Sequence, residues 1–504
     1  MSVGWCADVG VDSPERSAAE VLFRPERGTG PAMTEKHVAE AGATSDDTGS
    51  GDTGTDGGHT PLRRAITGKL LFLFILGDVL GAGIYALVGE VAGEVGGAIW
   101  VPLALALALA MLTAASYAEL VTKYPRAGGA AVFARHAYRH PLVSFLVGFC
   151  MLAAGVTSAA GLALAFAGDY LQVFLDVPTT VAALVFLVAV AALNARGITE
   201  SLRANVVMTV VEVSGLVLVV VLAGIVLGRG DGEPRRVLEF TDETTPALAV
   251  LGAALLAYYS FVGFETSANM AEEVRDVRRV YPKALFGALL AAGVVYVLVG
   301  LAVSVVAPPE RLVKSSGPLL EVVSIADVGI PDRVFSLIAL IAVANGALLT
   351  MIMASRLTFG MARDGLLPGA LAKVLPRRRT PWTAIVATTA VAMVLAATGT
   401  VAALAETVVL LLLFVFVSTN VAVLVLRRDR TDTDHFRAPT ILPVLAVISC
   451  VVLMTQQSAS TWLRAGILIV VGLGLYLLAR VTGSGGRPDV DDDRVDDDAA
   501  ERLT

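Results

Sequence analysis

The sequence predicts an all-α integral membrane protein with twelve transmembrane helices, and three observations support that class. The chain of 504 residues is 56% hydrophobic, with a mean hydropathy of +0.73. Charged residues make up only 16% of it, against about 25% in a typical soluble domain. The apolar residues form nearly uncharged blocks, many of them about 20 residues long, which is the length of a helix that crosses the hydrocarbon core. These blocks do not alternate in polarity, and this excludes the strands of a membrane barrel.

Twelve apolar blocks follow one another, separated by Gly, Pro or charged residues, as is usual at helix ends. We place spans 1 to 12 at about 69–93, 98–121, 141–168, 178–195, 205–228, 247–272, 284–307, 333–362, 382–398, 402–426, 439–456 and 462–480. Residues 1–62 and 481–504 are acidic and polar, so we expect them to be disordered cytoplasmic tails. Such tails usually solvate a terminus, and adaptation to a salty cytoplasm is an alternative hypothesis.

The basic residues predict the orientation, because Lys and Arg are enriched in short cytoplasmic loops. With the N-terminus inside, the cytoplasmic segments carry most of the basic residues. The outside loops then hold only Arg229, Arg235, Arg236, Arg311, Lys314, Arg333 and Arg464. We therefore expect a multi-pass protein of the cell membrane with both termini in the cytoplasm.

Two of the predicted spans contain helix-breaking residues near the middle of the membrane. Span 1 contains three glycines and a carboxylate within Gly77–Gly83, and span 6 contains a glycine and a glutamate within Tyr259–Ser267. Gly weakens a helix interior by about 1 kcal/mol relative to Ala. Because spans 1 and 6 are five apart, we predict two five-helix repeats that each begin with a discontinuous helix, a design known from secondary transporters.

A broken helix exposes free N–H groups at one half-helix and free carbonyls at the other. The N–H end carries partial positive charge and suits a carboxylate, whereas the carbonyl end suits an ammonium group. A zwitterionic amino acid presents both. Close helix packing is the alternative explanation for Gly81-Ala82-Gly83, because small residues let membrane helices approach each other.

Four motifs in order resemble the amino acid–polyamine–organocation (APC) superfamily over about residues 65–430. They are GDVLGAGIYALVG (77–89), YAELVTKYPRAGGA (117–130), SFVGFETSANMAEEVRDVRRVYPKAL (260–285) and MARDGLLP (361–368). The resemblance implies a LeuT-type 5+5 inverted repeat with discontinuous helices 1 and 6, two extra C-terminal helices and alternating-access transport of amino acids. The transport core would then be 63–400 (helices 1–5 at about 69–228, helices 6–9 at about 247–398), completed by helix 10 at 401–426. Helices 11 and 12 would occupy 427–480.

The resemblance also implies substrate-binding residues. Gly81, Ala82 and Gly83, with their neighbours Val79 and Ile84, would meet the substrate carboxylate. The backbone around Phe261, Val262 and Gly263 would meet the amino group. Tyr259 matches an aromatic gate over the substrate, and span 3 would line the pocket with Thr157 and Ser158.

Four carboxylates stand out inside the predicted spans, namely Asp78, Glu119, Glu212 and Glu265. Burying one costs roughly 2.5 kcal/mol or more, so such residues are functional candidates. Asp78, Glu212 and Glu265 are our candidates for ion or proton coupling. Glu119 lies near the cytoplasmic end of span 2, where we expect a structural pairing with Arg126 or Lys123.

Glu212 stands in an otherwise apolar stretch of span 5, where some proton-coupled relatives of the family carry a lysine. A buried carboxylate can take up or release a proton near neutral pH. Glu212 could therefore couple proton movement to substrate, or complete a cation site with Asp78; a neutral Glu that hydrogen-bonds a neighbouring helix is the alternative. Glu265 could sense protons or brace the unwound segment.

The expected pocket residues are small or apolar, which favours a neutral amino acid over a cationic amino acid or polyamine. The five histidines, His37, His59, His136, His140 and His435, all lie in predicted tails or loops, which argues against an intramembrane metalloenzyme. A channel would need a continuous polar pore. We therefore expect a permease without a cofactor that works as a proton-coupled symporter of neutral amino acids, with Na⁺ as the alternative driving ion. The alternative function is a transporter or exchanger of cationic amino acids or polyamines. The protein would contact the lipid bilayer and no nucleic acid, as a monomer or homodimer.

Overall fold

A computed structural model of the chain describes residues 66–81, 83–125, 129–196, 202–242, 244–375, 380–429 and 434–481. The helices are α1 (Gly68–Leu80), α2 (Gly83–Val95), α3 (Trp100–Lys123), α4 (Gly129–Tyr138), α5 (Pro141–Phe166), α6 (Asp169–Gln172), α7 (Thr179–Ala195), α8 (Leu202–Arg229), α9 (Pro246–Tyr259), α10 (Val277–Val306), α11 (Pro309–Lys314), α12 (Pro318–Ala326), α13 (Asp332–Arg363), α14 (Trp382–Thr398), α15 (Val401–Leu426), α16 (Ile441–Thr455) and α17 (Ala459–Val481). Three short 3₁₀ helices lie at Pro234–Leu238, Phe264–Glu273 and Gly369–Ala372.

A helix lies at each of the twelve positions where the sequence predicts a span. Eight of these segments are long and apolar enough to cross a membrane, and the bent pair α1–α2 would be a ninth. The remaining three, α7, α14 and α16, are shorter apolar helices. The all-helical membrane class is therefore confirmed, whereas the count of twelve crossings stays a prediction.

The described residues form no β-strand, but two isolated bridges join the ends of the interrupted spans. Ile66 pairs with Val274, so the chain entering α1 lies beside the chain leaving the 3₁₀ helix Phe264–Glu273. Gly96 pairs with Phe240 at the other end, between the exit of α2 and the approach to α9. Spans 1 and 6 are thus neighbours at both ends.

The buried core is built from the interrupted spans and the helices around them. Fully buried side chains concentrate on α3, α5, α10 and α15. Helices α3, α10 and α15 contact α1, α2 or α9, and α5 packs against α13 and α15. Helices α7, α14 and α17 instead expose large apolar side chains such as Val185 (64%), Val394 (63%) and Val470 (67%). Exposed aliphatic side chains suit a lipid environment, so these helices lie at the periphery of the bundle.

Some of the ordered structure lies outside the predicted spans. Helix α4 and the pair α11 and α12 occupy segments where the sequence analysis expects only loops. These helices are too short for a hydropathy pattern that seeks membrane crossings, because a crossing helix needs about 20 residues. Helix α11 contacts α2, and α4 contacts the 3₁₀ helix Phe264–Glu273, so both ends of the interrupted spans are covered.

Candidate functional site

Both predicted helix breaks are present. Helix α1 ends at Leu80, α2 begins at Gly83, and the two axes are bent by 42°. Helix α9 ends at Tyr259, and the 3₁₀ helix begins at Phe264 after a turn at Gly263, whose φ is +127°. That φ is readily adopted only by glycine, so the break in span 6 depends on this residue.

The two breaks lie against each other. A Cβ on residue 83 would stand 2.7 Å from Cα of Ser260, and a Cβ on residue 263 would stand 2.8 Å from the carbonyl oxygen of Asp78. Only glycines allow these backbones to come so close. The close-packing alternative for the span 1 glycines therefore describes Gly83 correctly, and the packing partner is the other break. Ala82 lies outside the described residues.

A tyrosine that the sequence analysis missed connects the breaks. The Tyr296 hydroxyl of α10 donates to the carbonyl oxygens of Val79 at 2.5 Å and Ser260 at 3.0 Å. Both carbonyls belong to the C-terminal ends of half-helices, where unwinding removes the usual backbone donors. The Tyr296 ring also packs edge-on against Phe261, with centroids 5.2 Å apart. The sequence feature that could have identified it is a single tyrosine within the otherwise apolar span 7.

Two of the predicted coupling carboxylates hold the break in span 6. Glu265 is buried, and its Oε2 accepts from the backbone N–H of Gly263 at 2.9 Å. Asp78 accepts a hydrogen bond from the Thr266 hydroxyl, which also donates to the Gly263 carbonyl at 2.7 Å. The bracing role predicted for Glu265 is therefore present in the geometry, and Asp78 ties span 1 to the same turn.

The predicted gate and pocket residues are brought together in part. The hydroxyls of Ser158 on α5 and Tyr259 on α9 are 2.8 Å apart, so the third span reaches the break in span 6. Thr157 is fully buried, but its hydroxyl donates to the Ala153 carbonyl of its own helix at 2.7 Å. Thr157 thus presents its methyl group and not a free hydroxyl to its neighbours.

The remaining predicted substrate residues form an apolar lining. Val79, Ile84 and Phe261 are at most 2% exposed, and Gly81 is buried, whereas Val262 is half-buried. None of these side chains carries charge. A concavity lies elsewhere, at the end of the 3₁₀ helix, with a lining that includes Pro125, Ala271 and Asp276.

Glu212 is fully buried on α8 and faces α13. Its Oε1 accepts from the Asn345 side-chain amide at 3.1 Å, while its Oε2 has no partner among the described residues. The Glu212 carbonyl also accepts from the Tyr85 hydroxyl at 2.7 Å, which joins α8 to α2. This environment fits the hydrogen-bonded alternative, and the free oxygen leaves a position for a proton.

The predicted cation site between Glu212 and Asp78 has limited support. Their carboxylates are close enough to interact electrostatically. Within the described residues, however, no group of three His, Cys, Asp or Glu side chains is placed to hold a metal ion. Asp78 instead directs its carboxylate to Thr266.

Glu119 has a different partner from the predicted one. Arg427, at the end of α15, donates to both carboxylate oxygens of Glu119, at 2.7 and 2.5 Å. Lys123 donates instead to the carbonyls of Leu426 and Asp429, at 2.5 and 2.8 Å. The prediction of Lys123 as the partner is therefore wrong, and the other candidate, Arg126, lies outside the described residues. Glu119 and Arg427 are 308 residues apart in the chain, so the sequence alone could not predict that they pair.

Comparison with known proteins decides the family. The family model for amino acid permeases matches residues 67–473. This chain belongs to the amino acid permease family. The permease is therefore a multi-pass membrane transporter for a small molecule, and not an enzyme.

Relatives of the permease align over most of their length. An uncharacterized transporter of Mycobacterium tuberculosis is 32% identical over 81% of this chain and 89% of its own. The branched-chain amino acid permease BcaP of Bacillus subtilis is 26% identical, over 84% of this chain and 94% of its own. The low-affinity putrescine importer PlaP of Escherichia coli is 26% identical, over 75% and 84%.

Proposed function

We propose that this permease is a secondary active transporter that takes up neutral amino acids with protons by alternating access. Family membership supports transport of amino acids. The finer assignment rests on one observation, namely that two interrupted spans meet at Gly83–Ser260 and Asp78–Gly263 inside the buried core. Substrate would bind where these half-helices end.

The helix ends provide both halves of amino acid recognition. The N-terminus of α2, at Gly83 and Ile84, carries the partial positive charge that suits a carboxylate. The carbonyls of Val79 and Ser260, at the ends of α1 and α9, are acceptors that suit an ammonium group. A zwitterion that lies across the two breaks would satisfy both ends at once.

The side chains around the breaks favour a neutral substrate. Val79, Ile84 and Phe261 are apolar, and the hydroxyl of Thr157 is held by its own helix. The carboxylates of Asp78 and Glu265 are engaged by Thr266 and by the Gly263 backbone. Similarity to the branched-chain amino acid permease BcaP supports the same preference.

The alternative is a cationic amino acid or polyamine as substrate. Asp78 is only half-buried, so its carboxylate could exchange the bond to Thr266 for a substrate cation. Similarity to the putrescine importer PlaP supports this alternative. It predicts that putrescine or lysine competes for uptake, whereas the neutral assignment predicts competition by leucine, isoleucine or valine.

Protons are the proposed driving ion. Glu212 is buried, has one unpartnered oxygen and lies near Asp78, so a proton on one carboxylate would change the electrostatic energy of the other.

The proposed architecture is the LeuT-type 5+5 inverted repeat with twelve membrane crossings and both termini in the cytoplasm. The shorter helices α7, α14 and α16 would then cross the membrane as spans 4, 9 and 11. Single cysteines placed in successive loops and labelled from outside intact cells would test the count. Labelling of two consecutive loops would contradict it.

Uptake into proteoliposomes tests the function. The full chain is reconstituted, and radiolabelled leucine uptake is measured with an imposed pH gradient, an imposed Na⁺ gradient or neither. The proposal expects accumulation above equilibrium only with the pH gradient, and competition by neutral amino acids. Accumulation driven by Na⁺ would contradict the proton assignment, whereas flux that only dissipates the leucine gradient would indicate a channel or facilitator.

A further inference from the structure

Three cations lie together where α1 and α10 begin. Lys69 on α1 and Arg279 and Lys283 on α10 are exposed, and no described residue forms a salt bridge or hydrogen bond with their side chains. The two helix starts are in contact, since a Cβ on residue 68 would stand 3.2 Å from Cγ1 of Val280. The three positive charges therefore share one rim of the molecule.

Below this rim, the same face of α10 is apolar and exposed. Steps of four, seven, four and four residues lead from Arg279 to Lys283, Leu290, Val294 and Leu298, which keeps all five on one side of a helix with 3.6 residues per turn. Leu290, Val294 and Leu298 are 53%, 50% and 44% exposed. The face thus changes from charged to aliphatic along the helix.

Helix α8 widens the apolar surface. It contacts both α1 and α10, and its Val207, Val210 and Val217 are 61%, 60% and 48% exposed. Helices α8 and α10 thus both expose aliphatic side chains, and the start of α10 carries two of the three cations.

Acidic residues also lie at this end of α10. Glu272 and Asp276 line a concavity with Arg278 and Pro125, next to the end of α3. Arg279 and Lys283 follow Arg278 by one and five residues, which turns them about 100° and 140° around the helix axis. No described acid forms a salt bridge with Lys69, Arg279 or Lys283. These three cations, with Arg275 and Arg278, outnumber the acids Glu272, Glu273 and Asp276, so the rim beside α1 keeps a net positive charge.

We propose that an anionic phospholipid binds at this rim, with its phosphate among Lys69, Arg279 and Lys283. Its acyl chains would lie along the exposed side chains of α8 and α10. Charge complementarity identifies this occupant, because a zwitterionic headgroup carries no net charge to balance three cations, while basic residues at a membrane surface attract anionic lipids. The site rests on the membrane orientation given under the proposed function, and not on the substrate or the driving ion.

The site would act on transport through α1. This helix carries Lys69 at its start and Val79 at the break, so a lipid held at the rim contacts one half of the interrupted span directly. Lipid composition would in this way bias the position of that half-helix relative to α10.

Lipid binding to the purified full chain tests the proposal. The protein is placed in phosphatidylcholine nanodiscs with graded phosphatidylglycerol, and retained phosphatidylglycerol is measured by native mass spectrometry. The variant Arg279→Gln/Lys283→Gln should bind phosphatidylglycerol about 30-fold more weakly than the unaltered chain. The control Arg363→Gln/Lys373→Gln removes two exposed cations at the end of α13 and beyond it, and should bind normally.

Three outcomes would overturn the proposed site. Equal weakening of binding in both double variants would indicate only a general effect of surface charge. Unchanged binding by the Arg279→Gln/Lys283→Gln variant, or equal retention of phosphatidylcholine and phosphatidylglycerol by the unaltered chain, would also contradict it. Thermal unfolding of each variant in phosphatidylcholine confirms folding. Because no substrate is needed, failure here is separate from failure of the leucine uptake assay.

Discussion

The hydroxyl of Tyr296 lies 2.5 Å from the carbonyl oxygen of Val79, and it reaches the Ser260 carbonyl at 3.0 Å. One side chain of α10 thereby holds the ends of the two half-helices at a fixed separation. The same two carbonyls are the acceptors proposed for the substrate ammonium group. Tyr296 is therefore a positioning residue for that part of the proposed site.

Replacement of Tyr296 by Phe removes this link and keeps the ring against Phe261. We expect a loss of about 1–3 kcal/mol in the free energy of unfolding, because two buried carbonyls lose their donor. We also expect KM for leucine uptake to rise about tenfold, with a smaller change in maximal rate. Tyr281→Phe, on the same helix as Tyr296, is the matched control, since its buried hydroxyl pairs with Ser267 of the 3₁₀ helix at 2.8 Å. A KM equal to that of the control would contradict the positioning role.

Gly263→Ala should disrupt the break in span 6. The residue has φ of +127°, and its new Cβ would stand 2.8 Å from the Asp78 carbonyl oxygen. Strain of this kind costs about 1–3 kcal/mol, and separation of the two breaks should abolish uptake. Gly474→Ala on α17 is the control, because no atom lies within 4 Å of its added Cβ. Normal uptake by Gly263→Ala would show that the close contact is dispensable.

The membrane class and the breaks could be predicted from the sequence because both are local properties. Hydropathy over about 20 residues marks a span, and Gly81, Gly83 and Gly263 mark interruptions without reference to any other residue. The partners could not be predicted in this way. Tyr296 meets Val79 across 217 residues, and Arg427 meets Glu119 across 308, so only the packed fold pairs them.

The hydroxyl pair Ser158–Tyr259 should couple α5 to α9. A double-mutant cycle with Ser158→Ala and Tyr259→Phe should give a coupling energy of about 0.5–1.5 kcal/mol in thermal unfolding, as for a buried neutral hydrogen bond. Each single variant should raise KM for leucine severalfold. Additive effects of the two substitutions on both readouts would contradict a direct role of this bond.

Glu212→Gln tests proton coupling with little structural change, because its amide oxygen can still accept from Asn345. Glutamine cannot take up or release a proton, so the Glu212→Gln variant should lose pH-driven accumulation of leucine. It should still exchange internal for external leucine across the membrane. Glu406→Gln is the control, since that carboxylate accepts from Thr461 at 2.6 Å, away from the breaks. Unchanged pH-driven accumulation by Glu212→Gln would rule out the coupling role.

The ion pair of Glu119 and Arg427 should be a major support of the bundle at the ends of α3 and α15. Glu119 is 2% exposed, and its Oε2 also accepts from the Ala438 N–H at 2.9 Å. Loss of Arg427 alone leaves a buried carboxylate without its counter-charge, so Arg427→Met should lower the free energy of unfolding by about 3–5 kcal/mol.

The double variant Glu119→Leu/Arg427→Met separates charge burial from packing. It leaves no buried charge, so it should recover most of the stability that Arg427→Met loses, as measured by thermal unfolding in detergent. Recovery will be incomplete, because Arg427 also donates to the Ala438 carbonyl at 2.6 Å and to Thr440 at 2.8 Å. A double variant no more stable than Arg427→Met would mean that these bonds to the segment before α16, and not the ion pair, support the helix ends.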